Sequence, residues 1–324
     1  MTTHEAIDQF LEYMEVEKGS APLTIKVYRH YLKRFSEWLA ETSPGIKPED
    51  IDLELVRKYR LYLSRITGRD GLPLKKITQS YHIIALRACL RYLVVQRNIS
   101  TLPPEKIDLP KVVARTVTFL NPDQLQRLLN SPDTSDVIGL RDRAILETLF
   151  STGLRVSELA RLNRDQVDLE RREFGVVGKG SKPRVVFLSD SAVEWIRRYL
   201  DTREDHFKPL FIRYSGGVDM SRDGQNMRLT SRSIQLIVAK YARMCGLPVK
   251  ATPHTLRHSF ATDLLRAGAD IRSVQEMLGH ESIRTTQVYT HVTDRQLREV
   301  HRSFHGRKKE DGSAPEDVPP EHSS

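Results

Sequence analysis

The chain has 324 residues, of which 39% are hydrophobic and 29% are charged, as is typical of folded globular proteins. Its 51 basic and 42 acidic residues give a net charge of +9, distributed as +4 in residues 1–100, +7 in 101–305 and −2 in 306–324. A basic excess in both folded parts favours a nucleic-acid-binding protein. The sequence has no apolar run of the roughly 20 residues that a membrane span needs, no secretory signal pattern and only two cysteines. We therefore expect a cytoplasmic protein without membrane contacts.

Apolar residues at helical spacing predict a bundle of four helices in residues 1–100. The first helix begins at a capping box formed by Thr2 and Glu5, the third begins at Asp52, and the fourth begins near Thr78. The apolar stripes of the four helices are Ile7, Phe10, Leu11 and Met14; Tyr28, Leu32, Phe35 and Leu39; Leu55, Val56, Tyr59 and Leu63; and Ile83, Leu86, Leu90 and Leu93. No strand pattern occurs in this part, so a small all-helical domain is expected.

Residues 101–116 are predicted to form a linker, because Pro103, Pro104 and Pro110 favour extended backbone and no helical period is present. Fully extended, such a linker would let two domains contact opposite faces of one duplex. The last segment, residues 306–324, is polar and proline-rich and is predicted to be disordered.

Residues 117–305 are predicted to form a second domain of mixed α/β character. An Asn-Pro pair at 121–122 begins a helix, and a later helix over Leu140–Phe150 ends at Gly153. A β-hairpin is predicted in residues 173–188, around the turn GKGSKP. Further helices are predicted over residues 191–201, 231–245, 253–267, 271–278 and 282–290, with a short strand at Leu210–Ile212. The fold class is therefore mainly α with a small β-hairpin.

The first candidate for chemistry is Arg155, in the run TGLRVSEL. It follows the break at Gly153 and begins a helix, where a guanidinium is well placed to bind a phosphate. The simpler interpretation is a surface arginine that pairs with Glu158, three residues later. For this segment alone, the simpler interpretation is favoured.

The second candidate is the pair His254 and Arg257, in the run TPHTLRH. Thr252 and Pro253 begin this helix, so His254 and Arg257 share one face of its first turn. A proton donor or acceptor beside a bidentate guanidinium suits a phosphoryl group. His254 and His258 also have the i, i+4 spacing of zinc-binding helices, but no glutamate follows His254 and no third ligand is obvious nearby.

The third candidate is the run from LGH at 278–280 to Tyr289. Gly279 is predicted to end a helix, so the simplest interpretation of His280 is an exposed capping histidine. Tyr289 alone is more typical of a core or interface aromatic. A tyrosine becomes an effective nucleophile only where a site stabilises its oxyanion.

Together and in this order, these runs closely resemble the catalytic domain of the tyrosine recombinase (phage integrase) family. The resemblance covers residues 117–300 and is carried by STGLRVSELARL, GKGSKPR and HTLRHSFATDLLRAGADIRSVQEMLGHESIRTTQVYTHV. Residues 1–100 resemble, less specifically, the SAM-like core-binding domain of that family. No further domain is expected ahead of this bundle, which makes the chain look most like the Xer type.

The resemblance implies a catalytic set of Arg155, Lys179, His254, Arg257, His280 and Tyr289. Arg155 and Arg257 would clamp the non-bridging oxygens of the scissile phosphate. Their charge would offset the negative charge of the transition state. His280 would donate a further hydrogen bond to the same phosphate.

The remaining implied roles concern bond breaking and proton transfer. Tyr289 would attack and hold a 3′-phosphotyrosine, so that rejoining would need no ATP, cofactor or metal. His254 would assist proton movement at this nucleophile. Lys179 would protonate the leaving 5′ oxygen, with Lys182 as its rival in the same turn.

The implied function is conservative site-specific recombination of double-stranded DNA by a homo- or hetero-tetramer on two duplexes. A Xer-type resolvase of chromosome or plasmid dimers, acting in chromosome partition at cell division, would have a second recombinase and a DNA translocase as further partners. An integrase or excisionase of a phage or other mobile element is the alternative. The intact six-residue set disfavours a DNA-binding regulator without chemistry, whereas a topoisomerase-like relaxing enzyme stays open.

Overall fold

The computed structural model describes residues 1–68, 71–109, 118–178, 182–217 and 221–279. The chain divides into two compact units, Met1–Arg115 and Thr116–Ser324, and each unit has its own hydrophobic core. Among the described residues, no helix combines the length and the apolar character needed to cross a membrane.

The described part of the first unit contains the four helices predicted from the sequence. They are α1 (Thr3–Val16), α2 (Pro22–Thr42), α3 (Leu53–Arg65) and α4 (Lys76–Gln96). Thr2 and Glu5 form the predicted capping box at the start of α1. The Asp52 side chain accepts from the N–H of Leu55 at 2.7 Å and caps α3. Side-chain caps therefore set where these two helices begin.

Aromatic side chains fill the centre of the first unit. Tyr59 of α3 is fully buried, and its ring lies 4.8 Å from that of Phe35 and 5.1 Å from that of Trp38, both on α2. Ring pairs of this kind stabilise a core by about 0.5–1.5 kcal/mol beyond the area they bury. The predicted apolar stripes are buried in all four helices, except that Tyr28 is only partly buried.

A row of polar side chains, formed by Arg34, His82 and Tyr59, lies within this core. His82 of α4, at its centre, is 1% exposed. Nη1 of Arg34 lies 3.4 Å from His82 Nε2, and the Tyr59 hydroxyl lies 3.2 Å from His82 Nδ1. Because an arginine can only donate, Nε2 must accept, which places the ring proton on Nδ1 and keeps the imidazole neutral. Burial, reinforced by the charge of Arg34, lowers the pKa of His82 to about 4.

We expect the first unit to lose stability as the pH falls from about 6.5 to about 4, because the unfolded chain binds a proton at His82 that the folded unit excludes. His82→Gln removes this titration, so its stability should depend less on pH over the same range. Urea unfolding followed by Trp38 fluorescence in a Trp195→Phe background measures it. Equal acid sensitivity of the two proteins would contradict the assignment.

Part of the segment predicted as an extended linker packs on the first unit. Leu102 is 8% and Ile107 1% exposed, both within the core cluster of this unit. Pro104–Lys106 forms a 3-10 turn, and the Thr101 hydroxyl donates to the carbonyl of Pro48. The proline pattern excluded a helix, but it carried no information on whether the apolar residues between the prolines would be buried.

The described part of the second unit contains helices and a two-stranded antiparallel sheet, which confirms the mainly helical fold class. The helices are α5 (Pro122–Leu129), α6 (Val137–Thr152), α7 (Val156–Arg161), α8 (Asp190–Asp201), α9 (Ser231–Met244), α10 (Pro253–Arg266) and α11 (Ile271–Leu278), and the strands are β1 (Glu173–Val177) and β2 (Pro183–Phe187). The strands form the predicted hairpin, in a register that runs from Glu173 opposite Phe187 to Val177 opposite Pro183.

Helix α6 lies at the centre of the second unit and is buried on nearly all sides, against α8, α9, α10 and β2. Asp136 caps it by accepting from the N–H of Gly139 at 2.6 Å. Its buried charges are paired, for example Arg143 with Glu147 at 2.8 Å. The C-terminal end of this buried helix is the base on which the site described below is built.

The predicted short strand at Leu210–Ile212 is wrong. The chain there forms only isolated bridges to neighbouring segments, although all three residues are buried. Its backbone pairs with two separate segments instead of one partner strand: the N–H of Leu210 donates to the carbonyl of Leu162 at 2.9 Å, and the carbonyl of Phe211 accepts from the N–H of Leu229 at 3.2 Å. Arg203 Nη1 also donates to the carbonyls of Pro209 and Leu210 at 2.7 and 2.9 Å. The predicted helix over 282–290 and the predicted disordered tail at 306–324 lie outside the described residues.

Candidate active site

The first element of the site is the turn between α6 and α7. Gly153 ends α6 in the left-handed region with φ +59°. A Cβ at Gly153 would lie 2.4 Å from Cδ1 of Phe260 on α10, so the close approach of the two helices also requires glycine. Arg155 then forms the N-terminal cap of α7, which confirms its predicted position at a helix start.

Arg155 pairs with Glu158, as the simpler interpretation held, but the carboxylate of this pair is buried. The Glu158 side chain is only 7% exposed. Its carboxylate accepts from the Arg155 backbone N–H at 2.8 Å and from Arg155 Nη1 at 2.9 Å. Arg184 of β2 donates to both oxygens of the same carboxylate, with Nη1 at 3.0 Å and Nη2 at 2.8 Å. One buried carboxylate thus joins two guanidiniums.

The Glu158 carboxylate stays ionised throughout the ordinary pH range. Burial raises its pKa, but the hydrogen bonds and charges of Arg184 and Arg155 outweigh burial and hold the pKa of Glu158 at about 2. A permanently ionised carboxylate keeps both arginines in place.

Arg257 is the second arginine of the candidate set. Thr252 caps α10 by accepting from the N–H of Thr255, and Pro253 follows at the first helical position, as predicted. Arg257 is 2% exposed, and its Nη1 donates to the carbonyl of Gly153 at 2.6 Å. The guanidinium is therefore fixed against the same turn that presents Arg155.

His254 lies on the first turn of α10 and is exposed. Neighbouring groups still remove part of the water around its ring, and this desolvation, together with the charges of Arg257 and Arg155, lowers the pKa of His254 and favours the neutral imidazole. The ring of His258 lies 4.3 Å from that of His254. Within the described ranges, no group of three His, Cys, Asp or Glu residues is placed to hold a metal ion.

Three arginines hold the C-terminal end of α11, which Gly279 ends with φ +62°. The carbonyls of Met277, Leu278 and Gly279 accept from Arg184 Nε, Arg257 Nη2 and Arg155 Nη2 at 3.1, 2.7 and 3.0 Å. The last carbonyls of a helix have no intrahelical donor, so these contacts satisfy groups that would otherwise need water. The residue that follows Gly279 in the chain is His280.

Half of the implied catalytic set, Lys179, His280 and Tyr289, lies outside the described residues. The backbone just before Lys179 is described: the N–H of Gly178 donates to the carbonyl of Lys182 at 2.9 Å. A Cβ on Gly178 would lie 3.8 Å from Nη1 of Arg155. The base of the hairpin turn therefore adjoins Arg155, and Lys182 is exposed there.

Arg155, His254 and Arg257 line one cleft with a volume of about 860 Å³. Arg232 of α9 and Lys250, just ahead of α10, add positive charge to its lining. No acidic side chain is among the described residues that line it. Such a cleft suits a polyanion such as the phosphodiester backbone of DNA.

Sequence reasoning did not single out Arg184, although a signal was present. In β2, Arg184 shares a face with buried Val186, and it lies opposite buried Val176 in the ladder. A charged residue on the core-facing side of a strand requires a buried partner. Here that partner is Glu158.

We expect Glu158→Gln to destabilise the second unit by about 3 kcal/mol at pH 7, because it leaves two partly buried guanidiniums without their shared carboxylate. The difference in unfolding free energy should stay constant down to about pH 4.5 and narrow below it. Between pH 4.5 and about 2 the unfolded wild-type chain binds a proton at Glu158 that the folded protein does not bind, so the wild type loses stability there. Urea unfolding followed by Trp195 fluorescence in a Trp38→Phe background measures it. If the wild type and Glu158→Gln were already equally stable at pH 6, the ionised, doubly paired state of Glu158 would be contradicted.

Comparison with known protein families gives matches in both units. The phage integrase family matches residues 118–296, and the N-terminal SAM-like domain of phage integrases matches residues 7–97. The first match contains the cleft and all six candidate residues, and the second covers the four-helix bundle except the first residues of α1.

Two relatives match almost from end to end. Tyrosine recombinase XerC of Pelotomaculum thermopropionicum is 38% identical over 307 residues, which cover 94% of this chain and 98% of the relative. Tyrosine recombinase XerD of Listeria innocua is 36% identical over 304 residues, which cover 94% of this chain and 99% of the relative.

Solved structures show the same fold. XerH site-specific recombinase bound to palindromic difH substrate, in a post-cleavage complex, has a TM-score of 0.68 at 25% identity and covers 92% of this chain and 85% of its own. The Tn1549 transposon integrase in complex with transposon right-end DNA has a TM-score of 0.68 at 22% identity, covering 94% of this chain and 100% of its own. At 22% identity, the second match is a likeness of fold alone.

Proposed function

We propose that this chain, which belongs to the phage integrase family and is a tyrosine recombinase of the Xer type, acts through a covalent bond between DNA and Tyr289. Enzymes of this type cut and rejoin DNA at specific sites. The observation that carries the proposal is the cleft in which Arg155, Arg257 and His254 meet. Two arginines fixed on one turn beside a neutral histidine form a site for a phosphodiester.

Arg155 and Arg257 bind the non-bridging oxygens of the scissile phosphate. The five-coordinate transition state carries more negative charge on these oxygens than the ground state does, so fixed guanidiniums lower the barrier. Both side chains are already held by backbone carbonyls, so little reorganisation is needed when the phosphate binds.

The covalent step exchanges one phosphate ester for another. The oxygen of Tyr289 attacks phosphorus, the bond from phosphorus to the 5′ oxygen breaks, and a 3′-phosphotyrosine forms. The tyrosine proton passes to neutral His254, and Lys179, or its rival Lys182, gives a proton to the 5′ oxygen. Attack by a 5′ hydroxyl from the partner duplex reverses these steps, and His280 donates a hydrogen bond to the phosphate throughout.

We expect Tyr289→Phe to bind its target DNA and to form no covalent adduct, because the ring without its hydroxyl has no nucleophile. A nicked duplex carrying the target site traps the adduct of the wild-type protein, and denaturing gel electrophoresis detects it. Tyr81→Phe, which removes the hydroxyl of an exposed tyrosine on α4, serves as the matched control that keeps Tyr289. An undiminished adduct in Tyr289→Phe would place the nucleophile elsewhere.

We assign residues 1–100 to a core-binding DNA domain, 101–116 to a linker, 117–305 to the catalytic domain and 306–324 to a tail. The two compact units and the two family matches support this division. With net charges of +4 and +7 in their segments, the two domains would contact opposite faces of one duplex.

The biological role that we propose is resolution of chromosome or plasmid dimers. The support is that the relatives at 36–38% identity are named as Xer recombinases, whereas the transposon integrase is 22% identical. Sequencing of DNA crosslinked to this protein in its own cell tests the role. A single chromosomal site supports dimer resolution, and sites at the ends of a mobile element support the integrase alternative.

We propose that the active assembly is a tetramer on two duplexes, in which a second recombinase can supply two of the four protomers. A DNA translocase is the further partner that a role in chromosome partition implies. The apolar residues Leu297, Val300 and Phe304 have the i, i+3, i+7 spacing of one helix face and lie shortly after Tyr289. Docking of this segment on a neighbouring protomer would couple the position of Tyr289 to assembly.

We expect deletion of residues 293–324 to leave binding to a single site nearly intact and to abolish tetrameric synapses and recombination, because the docking segment is lost. Deletion of only 308–324, the acidic tail, is the matched control and should recombine nearly normally. Native gels and light scattering on DNA measure assembly. Normal synapsis by the longer deletion would show that the segment does not dock on a neighbour.

A further inference from the structure

Arg184 contacts the site from behind without lining the cleft. Its side chain is 10% exposed and reaches Glu158 through two hydrogen bonds and the carbonyl of Met277 through a third. It therefore connects the hairpin strand β2 to the start of α7 and to the end of α11.

The charge balance around Glu158 shows what Arg184 contributes. Each carboxylate oxygen accepts one hydrogen bond from Arg155 and one from Arg184. Two guanidiniums and one carboxylate leave a net charge of about +1 at this point. Without Arg184, the carboxylate and Arg155 would form a neutral pair beside the bound phosphate.

We propose that Arg184 is a positioning residue that compensates the charge of Glu158, so that Arg155 keeps its own positive charge for the scissile phosphate. The inference rests on the proposed role of Arg155. It explains why a carboxylate stands directly behind a phosphate-binding arginine: Glu158 orients Arg155, and Arg184 cancels the electrostatic penalty of that orientation.

The geometry adds a second constraint on Arg155 from the same side chain. A Cβ on Gly279 would lie 3.1 Å from Cδ and 3.2 Å from Nη1 of Arg184, so the end of α11 packs directly on this guanidinium. The carbonyl of Gly279 in turn accepts from Arg155 Nη2 at 3.0 Å. Arg184 thereby fixes both acceptors that orient Arg155, the Glu158 carboxylate and the Gly279 carbonyl.

A double-mutant cycle on the full chain tests the inference. Arg184→Met, Glu158→Gln and the double variant are compared for the rate of covalent adduct formation on a nicked duplex carrying the site recovered by crosslinking. Arg184→Lys is the conservative variant, and Arg197→Met, which removes an exposed arginine paired with Glu170, is the matched control. DNA affinity and the urea midpoint are measured for each protein, so that rates are compared only among folded chains.

We expect Arg184→Met to slow adduct formation by a factor on the order of 10², with DNA affinity nearly unchanged. The double variant should be about tenfold faster than Arg184→Met, because the uncompensated carboxylate is gone. Arg184→Lys keeps the charge but cannot bind both carboxylate oxygens, so its rate should fall between those of the wild type and Arg184→Met. Arg197→Met should match the wild type.

Two results would overturn the inference. One is a wild-type rate for Arg184→Met, and the other is a double variant that is no faster than Arg184→Met, as expected if Arg184 only packs the hairpin. If the wild-type chain itself formed no adduct on the recovered site, the proposed function would fail and this inference with it. The wild-type lane therefore separates the two failures.

Discussion

The candidate site depends on how the last backbone carbonyls of α11 find hydrogen-bond donors. A helix leaves its final carbonyls without intrahelical partners, and each one buried unpaired would destabilise the fold by about 1–3 kcal/mol. The donors here are arginines from three different places: Arg155 at the cap of α7, Arg184 in β2 and Arg257 in α10. Two of the side chains that complete the fold of this region, Arg155 and Arg257, therefore also line the cleft.

The buried carboxylate of Glu158 fixes the relative positions of Arg155 and Arg184. A backbone carbonyl accepts from any donor that reaches it, whereas a carboxylate between two guanidiniums fixes their distance and orientation. Glu158 thereby sets the hairpin against the start of α7. Small hairpins are marginal by themselves, so this tertiary contact helps to hold strand β2 in place.

Much of this architecture was predictable because its signals are local. The capping pairs Thr2 with Glu5 and Thr252 with Pro253 mark helix starts within four residues of sequence, and Gly153 marks an end. Arg155 and His254 could be singled out because each follows such a boundary directly. The resemblance to the family then assigns these residues to one common site, although no local pattern links their segments of the sequence.

The features that escaped prediction depend on partners distant in the chain. Arg184 meets a carboxylate 26 residues away and a carbonyl 93 residues away, and no spacing rule links such positions. The prolines next to Leu102 predict a linker, whereas no local pattern in the sequence shows that Leu102 is buried. The strand expected at Leu210–Ile212 failed for a related reason, since an apolar run shows that a segment is buried and not what lies beside it.

The carbonyl contacts of Arg257 have a thermodynamic consequence. Carbonyl oxygens satisfy the hydrogen bonds of a guanidinium but do not cancel its charge. Glu158 offsets only one of the three positive charges of Arg155, Arg184 and Arg257, so a net repulsion between these side chains remains. Folding of the unbound protein works against this repulsion, and a phosphodiester that enters the cleft relieves it. DNA binding and folding of the second unit are therefore linked equilibria. Bound DNA raises the free energy of unfolding of the second unit above its value in the free protein.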